Sequence, residues 1–201
     1  MGFLENSKDA VWKQLAEEMG AAFVMGSFTG SSRIEKTHRN WKTVLDTYTV
    51  STGKSTVTYT RMRVPYIRSN DVLFKLSRKN IFSGLGNLFG MPVVGTYDYD
   101  FDDEFVIKGN DEPVIREIFK NTGIRDMIRE QKRLSLGIRN YKGRSNSDES
   151  ELYFQTGGVV KDPEKLKNLF GLFFLLMDEL AENGVALDRM PATVLYKEKG
   201  L

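Results

Sequence analysis

The sequence contains no cysteine, which removes disulfides, thiolate metal ligands and thiol nucleophiles together. Its one histidine, His38, has no second imidazole with which to build a His-based metal site and no obvious serine to activate. Long apolar runs are lacking as well. The longest, residues 169–177, is far short of the roughly 20 residues that span a bilayer. The N-terminus lacks the basic, apolar and small-residue pattern of a signal peptide. Met1-Gly2 opens like a myristoylation site, but Asn6 stands where that site requires Ser or Thr. An excess of one charge is also missing. The formal net charge is +2, with 13 basic and 7 acidic residues up to position 90 and 16 and 20 after it. Neither part shows the basic excess of a dedicated nucleic-acid binder. The expectation is a cytoplasmic protein with no cofactor, no nucleic-acid partner and no membrane span.

What is present is ordinary for a globular domain: 201 residues, 40% hydrophobic and 28% charged. One domain over residues 1–201 is expected. The most strongly patterned stretch is a helix expected over residues 162–183. Leu166, Leu169, Phe170, Phe173, Leu176, Met177 and Leu180 follow helical spacing. Leu172 and Phe174 widen the stripe to an apolar arc of about 200°, twice that of a surface helix. Such a helix must be gripped from more than one side. Asp162 caps its start, Pro163 fits the first turn, and Asn183-Gly184 stops it. On its polar arc Leu175 stands one turn after Gly171. These two mark a possible contact surface, either for the tail at 185–196 or for a second subunit.

A first helix is expected from a cap at Asn6 or Ser7 to about Gly20, with Val11, Trp12, Leu15 and Met19 on one side. A short strand follows at 22–25. Over residues 34–64 the period falls to two and β-branched residues dominate, which predicts strands. The centre is a hairpin of 42–50 and 55–64, turned at Thr52-Gly53. In that register Tyr48 faces Val57 and Asp46 faces Tyr59, their shared face is the better core candidate, and Asp46 pairs diagonally with Arg61. Further strands are expected at 72–76, 101–108, 134–141 and 151–154, and helices from a cap at Asp111 and over 124–131. The glycine-rich stretch 80–95 reads as irregular but packed. Residues 143–149 read as a mobile loop, and 197–201 as a frayed end.

Several motifs carry possible chemistry. Gly53-Lys54-Ser55 ends like a phosphate-binding loop, but the glycine needed five residues earlier is Tyr48 and a strand follows, which makes it a turn. Residues 83–90 approach a dinucleotide fingerprint, with the third glycine one place late and no βαβ unit around it. Asp98, Asp100 and Asp102 match the first ligands of a calcium loop, yet positions six and twelve are Asp103 and Gly109. The alternation of Tyr97, Tyr99 and Phe101 with acids points instead to a half-exposed strand edge. Arg61 and Arg63 lie on one side of the hairpin and could hold an anion if that face opens; pairing with Asp46 is the structural alternative. Glu151-Leu152-Tyr153-Phe154-Gln155 looks like a tag-removal protease site, but the glutamate expected at 150 is Ser. The segment therefore reads as native.

The combination of Trp41-Lys42-Thr43-Val44-Leu45-Asp46-Thr47-Tyr48, Tyr59-Thr60-Arg61-Met62-Arg63, Tyr99-Asp100-Phe101-Asp102-Asp103-Glu104-Phe105 and Val106-Ile107-Lys108-Gly109-Asn110-Asp111 resembles uncharacterised bacterial proteins of unknown function, over residues 20–180. It also looks distantly like another bacterial domain, in which a strand, a sharp polar turn and a helix follow a similar Phe-Asp pattern. Those relatives are often preceded by membrane segments. Neither resemblance implies a reaction, and no catalytic residue is carried over from either.

The expected fold is α+β: a mainly antiparallel sheet of six to eight strands with the N- and C-terminal helices packed on one face. The leading functional expectation is a noncatalytic binding or scaffolding domain, with Arg61, Arg63 and Asp46 as candidate ligand residues and a homodimer or another protein as partner. The alternative is an apolar small molecule or lipid held between sheet and C-terminal helix, with Phe170, Phe173 and Phe174 lining the site. The third is a metal-dependent hydrolase built on the carboxylates from Asp98 to Glu104.

Overall fold

The computed structural model describes residues 7–27, 30–51, 53–79, 90–140 and 148–191. Within them the chain forms a nine-stranded, wholly antiparallel sheet and five helices. The order of elements is α1 (Lys8–Met19), β1 (Ala22–Val24), β2 (Arg33–His38), β3 (Trp41–Ser51), β4 (Thr56–Ile67), β5 (Phe74–Arg78), β6 (Val93–Val94), α2 (Tyr99–Glu104), β7 (Phe105–Gly109), α3 (Glu112–Lys120), α4 (Thr122–Arg129), β8 (Ser135–Asn140), β9 (Glu149–Gly157) and α5 (Pro163–Glu182). The strands lie in the order β1-β2-β3-β4-β9-β8-β5-β7-β6. This is the expected α+β architecture, with at least one more strand than anticipated. The two-residue β6 carries too short a pattern to read from sequence.

The helices begin where their polar caps stand. Ser7 accepts from the Ala10 amide, Asp111 from Val114, Asn121 from Ile124, and Asp162 from Glu164 and Lys165. Gly20 ends α1 in the left-handed region at φ 60°, its amide bonded back into the last turn. All five helices contribute to one apolar cluster with one face of the sheet. That face presents Ile34, Trp41, Leu45, Met62, Val64, Phe154, Leu152, Leu136, Leu76, Phe74 and Ile107. Along α5, Leu166, Phe170, Leu172, Phe173, Leu176 and Leu180 are all fully buried. The broad arc is thus gripped as its width requires.

Leu175 is partly covered within the chain, by α4. Gly171 faces Met127 of α4, and the Leu175 Cδ1 atom sits near Gly123 at the start of the same helix. The short α4 therefore caps the less apolar side of α5. The last described residues return to the sheet: Trp41 donates its indole N–H to the Leu187 carbonyl at 3.1 Å, and Val185 and Ala186 are buried.

Three local expectations need correction. The hairpin closes with Ser51 opposite Thr56, so Tyr48 faces Tyr59 and Asp46 faces Arg61 directly. The loop is two residues longer than a Thr52-Gly53 turn, which slides each partner by two positions. The face bearing Asp46 and Tyr48 is also not the core face; Trp41, Leu45 and Met62 hold that role. Lastly, residues 99–104 are not a strand edge. Asp98 accepts from the Phe101 amide at 3.0 Å and caps α2, and the strand begins only at Phe105. The fingerprint-like residues 83–89, most of the expected mobile loop and the expected frayed end lie outside the described residues; Glu149 already belongs to β9.

Close packing demands glycine at Gly137, as it does at Gly26 and Gly109. A Cβ on Gly137 of β8 would strike the Phe74 carbonyl oxygen and stand 3.0 Å from the Lys75 Cα. Both are backbone atoms of β5 and cannot turn aside. Gly137→Ala is expected to cost about 1–3 kcal/mol, read from the midpoint of urea unfolding at unchanged slope. Leu175→Lys is expected to lower the same midpoint while light scattering shows no change in mass, because the partner it loses is α4.

Candidate functional site

Antiparallel pairing sends alternate side chains to opposite faces, and with every helix of the described residues on one face the other is furnished by the remaining alternation. Across β3, β4, β9 and β8 this helix-free face carries Asp46, Tyr48, Tyr59, Arg61, Arg63, Glu151, Tyr153, Gln155 and Arg139. The three ligand candidates from the sequence, Asp46, Arg61 and Arg63, are therefore brought together. Arg61 grips Asp46 with a two-pronged fork, Nε to Oδ1 at 2.8 Å and Nη2 to Oδ2 at 2.7 Å. Arg63 Nη2 joins Oδ2 at 2.7 Å. Burial works against the charge on Arg61, but Asp46 outweighs it and holds the guanidinium more firmly protonated than usual.

A second charged pair lies beside the first. Arg139 Nε donates to the Oε1 of Glu151 at 2.5 Å, and Glu151 is only 3% exposed. The other oxygen of that carboxylate, Oε2, is buried with no hydrogen-bond partner. Between the pairs, the hydroxyls of Tyr48 and Tyr153 both donate to the Gln155 Oε1, Tyr48 at 2.5 Å. Burial, followed by the Tyr48 hydroxyl, pushes the Tyr153 phenol well above its ordinary value, so it stays a neutral donor. The arginines also lie over rings: Arg61 is 4.7 Å from the Tyr48 centroid and Arg139 is 3.5 Å from that of Tyr153. Tyr48 in turn stacks on Tyr59 at 5.3 Å.

Sequence reasoning missed Glu151, Tyr153, Gln155 and Arg139. The signal was the period-two pattern of residues 149–155, in which Leu152 and Phe154 alternate with these polar groups. The tag-like segment is in fact the centre of the sheet, with both apolar residues buried in the core.

The other candidates are placed elsewhere. Asp98 lies between Arg125 Nε at 2.9 Å and Arg129 Nη2 at 3.1 Å, while Asp102 accepts from the Thr96 amide and hydroxyl at 2.9 Å each. Asp100 is exposed. Among the described residues no group of three His, Asp or Glu side chains is placed to hold a metal ion. Phe170 and Phe173 are fully buried in the core. Phe174 stacks on the His38 ring at 4.7 Å, and His38 Nε2 meets Asp178 at 2.9 Å. Compared with known protein families, curated proteins and solved structures, the chain has no match.

Two outcomes follow from these geometries. Asp46→Ala leaves two guanidiniums facing each other in a partly dry site. It is expected to cost about 2–4 kcal/mol, somewhat below the figure for a fully buried pair, and Asp46→Leu with Arg61→Met and Arg63→Met recovers most of that in urea unfolding. The second concerns acid. The Phe101 amide holds Asp98 below its ordinary value and, against the opposing effect of burial, Arg129 and Arg125 add to it. A carboxyl lowered in the folded state stabilises fully above the unfolded value of about 3.9, and that stabilisation is lost as pH falls through the folded value. Asp98→Asn is therefore expected to lower stability at pH 7 and to flatten its decline below about pH 4, followed by thermal unfolding across pH.

Proposed function

We propose that this chain is a noncatalytic binding or scaffolding domain, bacterial and cytoplasmic in setting, whose ligand surface is the helix-free face of the sheet. The observation that carries this is the set of three arginines, Arg61, Arg63 and Arg139, on neighbouring strands of that face, with Asp46 and Glu151 as their internal partners. Over the whole face the register places seven basic residues, Arg33, Lys42, Arg61, Arg63, Lys75, Lys108 and Arg139, against four acids, Glu35, Asp46, Glu149 and Glu151. That excess of three exceeds the +2 of the entire chain. The positive charge is therefore gathered on one side of the sheet, and the rest of the molecule balances slightly negative. A surface so charged draws anions by its summed field.

The same geometry speaks against acid–base chemistry there. Asp46 accepts three hydrogen bonds from arginines, two on Oδ2 and one on Oδ1, which fill most of the roughly four acceptor sites of a carboxylate and set it as a structural anchor. His38 lies on the opposite side, its ring held between Phe174 and Asp178.

Citrate serves as a small polycarboxylate probe. Compared with chloride at equal ionic strength, it is expected to raise the Tm of the unaltered protein by several degrees and that of Arg139→Gln much less. Arg139→Gln takes the partner from buried Glu151 and lowers the starting Tm, so each protein's response to citrate is read from its own value in chloride. An identical citrate response in both proteins would refute a binding face at this position.

A further inference from the structure

We propose that the helix-free face receives a carboxylate-bearing extended segment of another protein, with Arg139 as the residue that reads the carboxylate. This rests on the anion-binding reading above and specifies its ligand. Arg139 is held from two sides before any ligand arrives: Nε is tied to buried Glu151, and the guanidinium plane lies against the Tyr153 ring. Among the described residues its Nη1 and Nη2 groups have no hydrogen-bond partner. Those two parallel N–H groups form the end-on fork that matches a carboxylate. Because the side chain is already positioned, little conformational entropy is left to lose on binding.

A phosphate-bearing nucleic acid fits the same charge but not the rings. Single strands bind by stacking bases on exposed aromatic faces. Here Tyr48 already carries Arg61 and Tyr59, and Tyr153 carries Arg139. Beyond Tyr48 and Tyr59 the same face ends in the cross-strand pair Val50 and Val57, which are 41% and 40% exposed. An apolar end to a basic face suits a polypeptide in which apolar and acidic side chains share one edge. Arg139 lies level with Pro65 through Glu151, eight residues from Val57 along the strands and two strands across, about 28 Å at strand spacing, so about eight to nine extended residues of a partner bridge the two.

Two labelled decapeptides, one alternating glutamate and valine and one alternating lysine and valine, and a ten-nucleotide uridylate test this by fluorescence anisotropy with the full chain. The acidic peptide is expected to bind and the basic one not to. Arg139→Gln is expected to weaken the acidic peptide about tenfold, as loss of a charged hydrogen-bond pair does. Arg139→Lys, which keeps the charge but not the fork, should weaken it nearly as much. Tighter binding of the uridylate, lost in Arg139→Gln, would overturn the assignment in favour of nucleic acid. So would acidic-peptide binding that is indifferent to both Arg139 variants. If citrate acts through Arg139 but the acidic peptide does not bind, this inference alone fails; if citrate shows no dependence on Arg139, the binding face itself fails.

Discussion

The constraint on which the structure turns is the width of the apolar arc on α5. A stripe of about 100° can be covered by a sheet alone, whereas this one spans about 200° and leaves Leu166, Phe170, Phe173 and Leu176 needing neighbours on several sides. The sheet supplies one. α1 supplies another, with Trp12 fully buried and its indole N–H bonded to the Val160 carbonyl just before α5 begins. α4 supplies the third through Gly123 and Met127. The helices of the described residues are therefore drawn to one side of the sheet.

The opposite face has to be stabilised by other means. A sheet face without a helical cover cannot be richly apolar without inviting aggregation, and an open polar face gains little from ion pairs that water screens. The solution here is intermediate. Paired charges are half shielded by tyrosines, whose rings cover the arginines and whose hydroxyls converge on Gln155. Removing solvent strengthens each attraction but raises the cost of any unmatched charge. The orphaned Oε2 of Glu151 is one such cost, and it is placed beside Arg139, the arginine with most solvent access among those on β4 and β8.

Elements with a strong period and a marked cap are legible in the sequence. α5, α1 and α3 begin at the residues their caps indicate, and the Asp46–Arg61 pair was legible from the hairpin. The strand reading of residues 99–104 failed because alternating Tyr and Asp satisfy both a period of two and a short capped helix. What distinguishes the helix is local: Asp98 caps the Phe101 amide, and Phe101 packs on Phe105 four residues on, at 4.7 Å. The choice of core face in the hairpin failed for a longer-range reason. Trp41 and Met62 outweigh Tyr48 and Tyr59 only once β9 brings Phe154 alongside Met62. The candidate site was half legible, because its other half arrives from β8 and β9, almost a hundred residues later in the chain.

That long-range assembly bears on what the face is for. If Asp46 and Arg61 served only to fasten the hairpin, a neighbour on β9 of any polar kind would suffice. Instead β9 and β8 bring a second arginine–carboxylate pair, a tyrosine under the new guanidinium and a glutamine that links both halves through two phenols. Each of these fixes the direction of a side chain rather than adding much to stability, since replacing such pairs with apolar residues is often neutral or better for a fold. A set of groups whose main effect is to orient arginines is what a receptor for a planar anion requires.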